Sequence, residues 1–218
     1  MKLYIILLIA LIILLLVCSS KREPFINTEI VKELPNFLTS EECDIIIELS
    51  KPNLVNSLVY SSNEDQLNTT TRKSMQCWLK DDIDKVIKKI SDKTAELTNM
   101  PLENQEPLQV VSYNEGGFFN PHYDACQGDE TYCNRMNENG GPRYITLLIY
   151  LNDDYDGGET LFPKLNYKTS PKKGNAVLFY DTDDNGKILD DSLHGGNPVS
   201  NGMKWVCNKW VHKKEFSL

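Results

Sequence analysis

The chain has 218 residues, 40% hydrophobic and 25% charged, with a formal net charge of −8. That length and balance suit one globular unit with a real core. The acidic balance, with no Lys/Arg-rich stripe, excludes a general nucleic-acid binder. In chain order, the first feature is an apolar run from Leu3 to Cys18, preceded by Lys2 and followed by Lys21 and Arg22. A spanning helix needs roughly 20 apolar residues and a signal h-region about 7–15. Residues 1–22 therefore read as a single-pass signal anchor, with a cleaved signal peptide as the alternative. Either way the remaining chain is expected in a secretory compartment such as the endoplasmic reticulum lumen, or outside, and in the first case tied to the membrane.

After a linker, Thr39 and Glu42 have capping-box spacing ahead of the apolar Ile45, Ile46, Ile47 and Leu49, which predicts a helix start. From Asp81 the apolar positions Ile83, Val86, Ile87, Ile90 and Leu97 recur at helical spacing, with charged residues between them. Beyond Pro107 the pattern becomes strands: 108–113, 143–151, 175–180 and 204–211, rich in β-branched and aromatic residues and separated by Gly, Pro, Asn and Asp clusters. Helices followed by many short strands predict an α+β fold with a jelly-roll core and N-terminal supporting helices. The expected organisation is a support region over 23–106 and a core over 107–218.

None of the six cysteines forms a C-x-x-C pair, so the usual signature of structural zinc is missing. Cys126 and Cys133 bracket a short polar loop. In an oxidising compartment they can close a disulfide, and two free thiols are the alternative. Asn68-Thr69-Thr70 is an N-glycosylation triplet, usable only if this part of the chain is lumenal.

The chain has only three histidines, His122, His194 and His212. His122 stands two residues before Asp124. On an extended strand such residues point to the same side, so they can present a nitrogen and an oxygen to one ion. Two His and one carboxylate on one face of the metal is the donor set of non-haem Fe(II) oxygenases. The third ligand would be a distant histidine, His194 or His212. Lys204 follows His194 by ten residues, and a cation there would pair with the far carboxylate of a dicarboxylate cosubstrate.

From about Pro107 to Val211 the chain resembles the catalytic domain of the prolyl 4-hydroxylases, in particular the membrane-anchored or viral branch. The matching pieces are Tyr113 before His122-Tyr123-Asp124, the run Arg143–Asn152, Gly157–Pro163, Lys173–Phe179, His194, Lys204 and Trp210. The resemblance implies a double-stranded β-helix that uses Fe(II), 2-oxoglutarate, O2 and L-ascorbate to hydroxylate proline in a polypeptide at C4, releasing succinate and CO2. It implies His122, Asp124 and His194 as iron ligands, and Lys204, Tyr113 and Thr160 at the distal carboxylate of 2-oxoglutarate. Trp210 would shape the pocket, and Glu106, Arg143 and Phe119 would lie toward the substrate. Phe119 stands where the family often has tyrosine. Thr160 and Trp210 also read as plain core residues, Tyr113 as a strand aromatic, and Arg143 as a surface strand residue. The lysine at 204 favours proline over lysine as the acceptor, since lysyl hydroxylases typically use arginine there. The other readings are the same chemistry on lysine and a catalytically inactive, membrane-tethered peptide-binding module.

Overall fold

A computed structural model describes residues 30–60, 65–66 and 68–217. The apolar N-terminal run and the linker after it lie outside these residues. In chain order the strands and helices are β1 (Val31–Leu34), α1 (Ser40–Ser50), β2 (Val55–Asn56), β3 (Val59–Tyr60), β4 (Asp65–Gln66), β5 (Arg72–Lys73), β6 (Met75–Leu79), α2 (Lys85–Thr98), β7 (Leu108–Tyr113) and β8 (Phe118–His122). They continue with α3 (Glu130–Met136), β9 (Arg143–Tyr150), β10 (Asp156–Gly157), β11 (Thr160–Phe162), β12 (Tyr167–Lys168), β13 (Ala176–Tyr180), β14 (His194–Gly196), β15 (Val199–Asn201) and β16 (Lys204–His212).

The local chemistry accounts for the helix ends. Thr39 accepts from the Glu42 backbone N–H while Glu42 accepts from the Thr39 N–H, the reciprocal capping box expected for α1. Replacing Thr39 by alanine is expected to cost about 1 kcal/mol. That should lower the melting temperature by roughly 2–4 °C in a domain of this size, readable by calorimetry. α2 begins later than its apolar spacing suggested. Asp84 caps it, and Ile83 lies ahead of the helix, 47% exposed. It ends at Asn99 in the left-handed conformation, a usual C-terminal stop.

Two antiparallel sheets face one another. The larger has seven strands in the order β1-β13-β9-β16-β7-β6-β2, the smaller five in the order β12-β11-β14-β8-β5. Strands of the 23–106 region thus enter both sheets. Gly174 leads into β13 at φ +82°, and a Cβ there would stand 2.3 Å from the Leu38 carbonyl, so only glycine lets this turn close onto the chain before α1.

The period-two alternation of the large sheet sorts its residues between two cores. Ile145, Leu147 and Ile149 of β9, Ala176 and Leu178 of β13, and Cys207 and Val211 of β16 pack with Ile46, Val86, Ile87 and Ile90 of the helices. The alternate positions, Leu148, Tyr150, Val177, Phe179, Val206, Val111 and Tyr113, pack with Phe162 and Val199 in a second cluster. Each fully buried aliphatic side chain contributes about 1.5–3 kcal/mol, so both faces of this sheet hold the fold. The same alternation turns Lys204, Asn208, Trp210 and His212 of β16 to the side of Val206, toward the smaller sheet. The cleft forms there.

Candidate active site

The two sheets enclose a cleft of about 950 Å³, with residues of β7, β8, β9, β14 and β16 among those lining it. β14 pairs with β8 antiparallel, and the register sets His194 opposite His122. The His194 segment reads in sequence as a turn. Its Gly-rich composition carries no strand signal, and the pairing with β8 makes it a strand. β8 ends at His122, so Asp124 reaches the same point from the bend that follows, not from the i, i+2 side of a strand.

His122, Asp124 and His194 each offer a ligand atom, and these atoms all lie within 4.8 Å of one another. Nε2 of His122 is 3.6 Å from Asp124 Oδ1, and Nε2 of His194 is 3.7 Å from Asp124 Oδ2. Nδ1 of His122 is 2.8 Å from the Asn120 carbonyl, and Nδ1 of His194 is 2.9 Å from the Ser192 carbonyl. A carbonyl only accepts, so each Nδ1 carries the hydrogen and each Nε2 is left with its lone pair toward the cluster. Burial lowers the pKa of His194 to about 4 against the pull of Asp124, which keeps the ring neutral and able to ligate. Burial alone would raise the Asp124 carboxyl, but His194, His122 and Arg143 hold it well below the carboxylate range. Two neutral imidazoles and one ionised carboxylate are the donor chemistry of a mononuclear Fe(II) site, so the residues fit that metal.

Asp124 is braced. Its Oδ2 accepts from the Trp210 indole N–H at 3.0 Å and lies 2.7 Å from the Thr146 hydroxyl. The Arg143 guanidinium stacks 3.4 Å from the centre of the Trp210 ring. Arg143 also makes a two-point ion pair with Glu106, at 2.6 and 3.0 Å. His212 Nε2 lies 3.0 Å from the same carboxylate, and burial, which would raise the Glu106 pKa, is outweighed by Arg143 and His212, giving about 2. Glu106 is 6% exposed and spends its oxygens on these two partners, which leaves Arg143 as the more accessible member of the pair. Phe119 stacks on the His122 ring at 3.6 Å, and the Arg72 guanidinium lies 4.6 Å from the centre of the Phe119 ring.

Farther along the cleft, Lys204 is 3% exposed. It stands opposite Tyr113 in the β16–β7 register. Its Nζ donates to the Gly158 carbonyl at 2.7 Å and lies over the Tyr113 and Tyr150 rings, at 5.3 and 5.7 Å. No carboxylate of the described residues is within ion-pair distance of it, and burial lowers its pKa to about 7. The Tyr150 hydroxyl donates to Thr160 Oγ1 at 2.8 Å and is 2.6 Å from Thr169 Oγ1. A buried amine with no carboxylate in ion-pair reach, lying over two tyrosine rings with Thr160 lining the same cleft, fits the far carboxylate of a dicarboxylic acid. Sequence reasoning missed Tyr150 and Thr169 here, Thr146 and Asp181 beside Asp124, and Arg72 against Phe119. All five are polar groups on buried positions of strands or their edges.

The loop over 125–142 borders the cleft. Its Cys126 and Cys133 are disulfide-bonded, with Cα atoms 5.5 Å apart, and it contains α3. The acidic stretch over 181–191 forms a separate hairpin, bridged at Thr182 and Ile188, and does not line the cleft.

Comparison with known proteins agrees with this geometry. Residues 108–212 match the profile of the 2OG-Fe(II) oxygenase superfamily. Prolyl 4-hydroxylase 5 of Arabidopsis thaliana is 36% identical over 204 residues, covering 84% of this chain and 68% of the plant protein. The chain belongs to the prolyl 4-hydroxylase family. Among solved structures of prolyl hydroxylases, the viral collagen prolyl hydroxylase of Paramecium Bursaria Chlorella virus-1, solved as its 2OG complex, has a TM-score of 0.67 and 30% identity. That likeness covers 89% of this chain and 98% of the viral one, and it bears out the double-stranded β-helix expected from the sequence. A Trichoplax adhaerens prolyl hydroxylase, in complex with a peptide fragment of the hypoxia inducible factor oxygen degradation domain, shares the fold, with a TM-score of 0.64 at 19% identity. It covers 86% of this chain, and this chain 85% of it. The enzyme class follows: a 2-oxoglutarate-dependent prolyl 4-hydroxylase.

Proposed function

We propose that His122, Asp124 and His194 hold the iron, that Lys204 binds the distal carboxylate of 2-oxoglutarate, and that the cleft seats a proline-containing segment of a polypeptide. The observation that carries this reading is the buried Lys204 amine, with no carboxylate of the described residues in ion-pair reach, in the same cleft as the His122–Asp124–His194 cluster. When bound, Fe(II) with 2-oxoglutarate and O2 supplies the oxidation, giving succinate, CO2 and one oxygen atom on proline C4.

The chain's own residues bind, orient and exclude water. Both histidines present Nε2 because their Nδ1–H groups are held by backbone carbonyls. Lys204 gives the cosubstrate one strong charge-assisted contact that fixes its orientation, with Tyr113 and Thr160 as neighbouring hydroxyl donors. Leu148 and Val206 make the cleft wall between Lys204 and the cluster apolar, which strengthens that contact by excluding water. Trp210 and Arg143 form a stacked wall that positions Asp124 on one side and offers guanidinium N–H groups to peptide carbonyls on the other. L-Ascorbate is the proposed reductant that restores Fe(II) after turnovers that do not reach proline.

Anaerobic titration of the iron-loaded protein with 2-oxoglutarate tests the ligand roles. A visible metal-to-cosubstrate charge-transfer band is expected in wild type, and none in His194→Ala. An unchanged band in that variant would overturn the ligand set.

We also propose that the N-terminal apolar run is a signal anchor holding the catalytic part in the secretory lumen. The Cys126–Cys133 bond supports an oxidising compartment. Asn68, Thr69 and Thr70 are exposed. Expressed as the full chain in a eukaryotic secretory host, the protein is expected to carry a glycan at Asn68. It would be read as an endoglycosidase-sensitive gel shift that Asn68→Gln removes. A full chain that gains no glycan, while a C-terminal acceptor tag on it also stays unmodified, would contradict the lumenal placement.

A further inference from the structure

The Thr146 hydroxyl lies 2.7 Å from Asp124 Oδ2 and 2.7 Å from Asp181 Oδ2. A hydroxyl has one hydrogen, so it can donate to only one of the two carboxyl groups. Asp124 is the side on which acceptors are needed, since it also takes the Trp210 N–H and faces two imidazoles. The Thr146 hydrogen therefore goes to Asp124, and the Asp181–Thr146 contact is closed by a hydrogen on Asp181. Asp181 is fully buried, has no cation within ion-pair distance among the described residues, and leaves Oδ1 without a partner. A carboxyl in that position is far less costly neutral than ionised.

The placement follows from the strands. Thr146 shares the cleft-facing alternation of β9 with Leu148 and Tyr150. Asp181 follows β13 in the alternation of Val177 and Phe179. The Asp181 backbone is held as well: its N–H donates to the Tyr144 carbonyl at 2.9 Å, and its carbonyl accepts from the Leu189 N–H at 3.0 Å. The same carbonyl lies 3.4 Å from the Ser192 hydroxyl, and the Ser192 carbonyl orients the His194 ring. One residue thus touches the supports of two members of the cluster.

We propose that Asp181 is a positioning residue for the iron site: through the Thr146 hydroxyl it fixes the rotamer of Asp124, and so the affinity of the site for a divalent metal. This rests on the ligand roles proposed above. Partners of this kind typically change metal affinity 10–100-fold. The test measures Mn(II) dissociation constants of the protein without cosubstrate, together with melting temperature and the ratio of succinate to hydroxyproline formed. In Asp181→Leu, metal binding is expected to weaken by at least tenfold and succinate to exceed hydroxyproline. In Asp181→Asn, whose amide N–H can donate to Thr146, both are expected to return to within about threefold of wild type. Thr146→Val should reproduce the leucine effect, and adding Asp181→Leu to it should change little further; it carries the test if Asp181→Leu does not fold. Equal loss in the Asn and Leu variants, unchanged metal affinity in Thr146→Val, or additive losses in the double variant would overturn the proposal. Retained metal affinity in His194→Ala would instead overturn the ligand set on which it rests.

Discussion

Asp124→Ala is expected to lower hydroxylation by more than about a thousandfold, since even groups that merely support a metal ligand cost 10–100-fold. Among the described residues, Asp124 is the only carboxylate of the cluster. Removing it leaves a divalent metal with two neutral nitrogens and no charge compensation. It also strands the Trp210 N–H, which loses its buried acceptor, and leaves the Thr146 hydroxyl with Asp181 as its remaining partner. Each unpaired buried group costs about 1–3 kcal/mol, so some loss of stability is expected beside the loss of metal. Steady-state turnover, Mn(II) binding and a melting curve on the same preparation separate the two effects. A folded Asp124→Ala that binds metal and turns over like wild type would contradict the role given to Asp124.

Lys204→Ala is expected to raise the KM for 2-oxoglutarate by about two to three orders of magnitude. Breaking a buried charge pair by removing one partner costs about 3–5 kcal/mol, and saturating cosubstrate should recover much of kcat. The pH dependence follows from the buried amine. Burial lowers its pKa from an ordinary 10.5 to about 7 in the free protein. Above pH 7 the folded amine is neutral while the unfolded one still holds its proton. The free protein therefore carries the cost of a buried charge below pH 7 and is relieved of it as pH rises from about 7 toward 10.5. Binding the anionic cosubstrate draws the proton back. Affinity for 2-oxoglutarate is thus expected to be flat below about pH 7 and to weaken above it, by up to about tenfold per pH unit. Lys204→Arg, charged throughout, should abolish that slope. A slope that persists in the arginine variant would place its origin elsewhere.

Much of this architecture is legible in the chain because its strands are apolar on both faces. The run over 108–113 is a strand with those bounds, and the runs near 143, 176 and 204 are strands to within a residue. The His122–Asp124 spacing and Lys204 point to the chemistry, and the family resemblance supplies His194 as the partner. The rest depends on pairing across the molecule. His-Gly-Gly at 194–196 has no strand propensity of its own and becomes one by pairing with β8. α3 is short and lacks an apolar stripe, so its only sequence signal is the Asp129 cap. Thr146 and Asp181 look like minor interruptions of apolar runs. Their meaning emerges only when β9 and β13 lie side by side, with Asp124 brought against them. His212 reads as structural from its place beyond the family pattern, and the fold ties it to Glu106.

The most direct measurement is mass spectrometry of a proline-rich peptide incubated with residues 23–218, Fe(II), 2-oxoglutarate and ascorbate, beside a collagen-like peptide containing lysine and a His194→Ala control. One added oxygen on proline, assigned to C4 by fragmentation and standards, dependent on 2-oxoglutarate and missing in the control, is the expected result. Oxygen on lysine alone, or oxygen on proline that survives in His194→Ala, would contradict it.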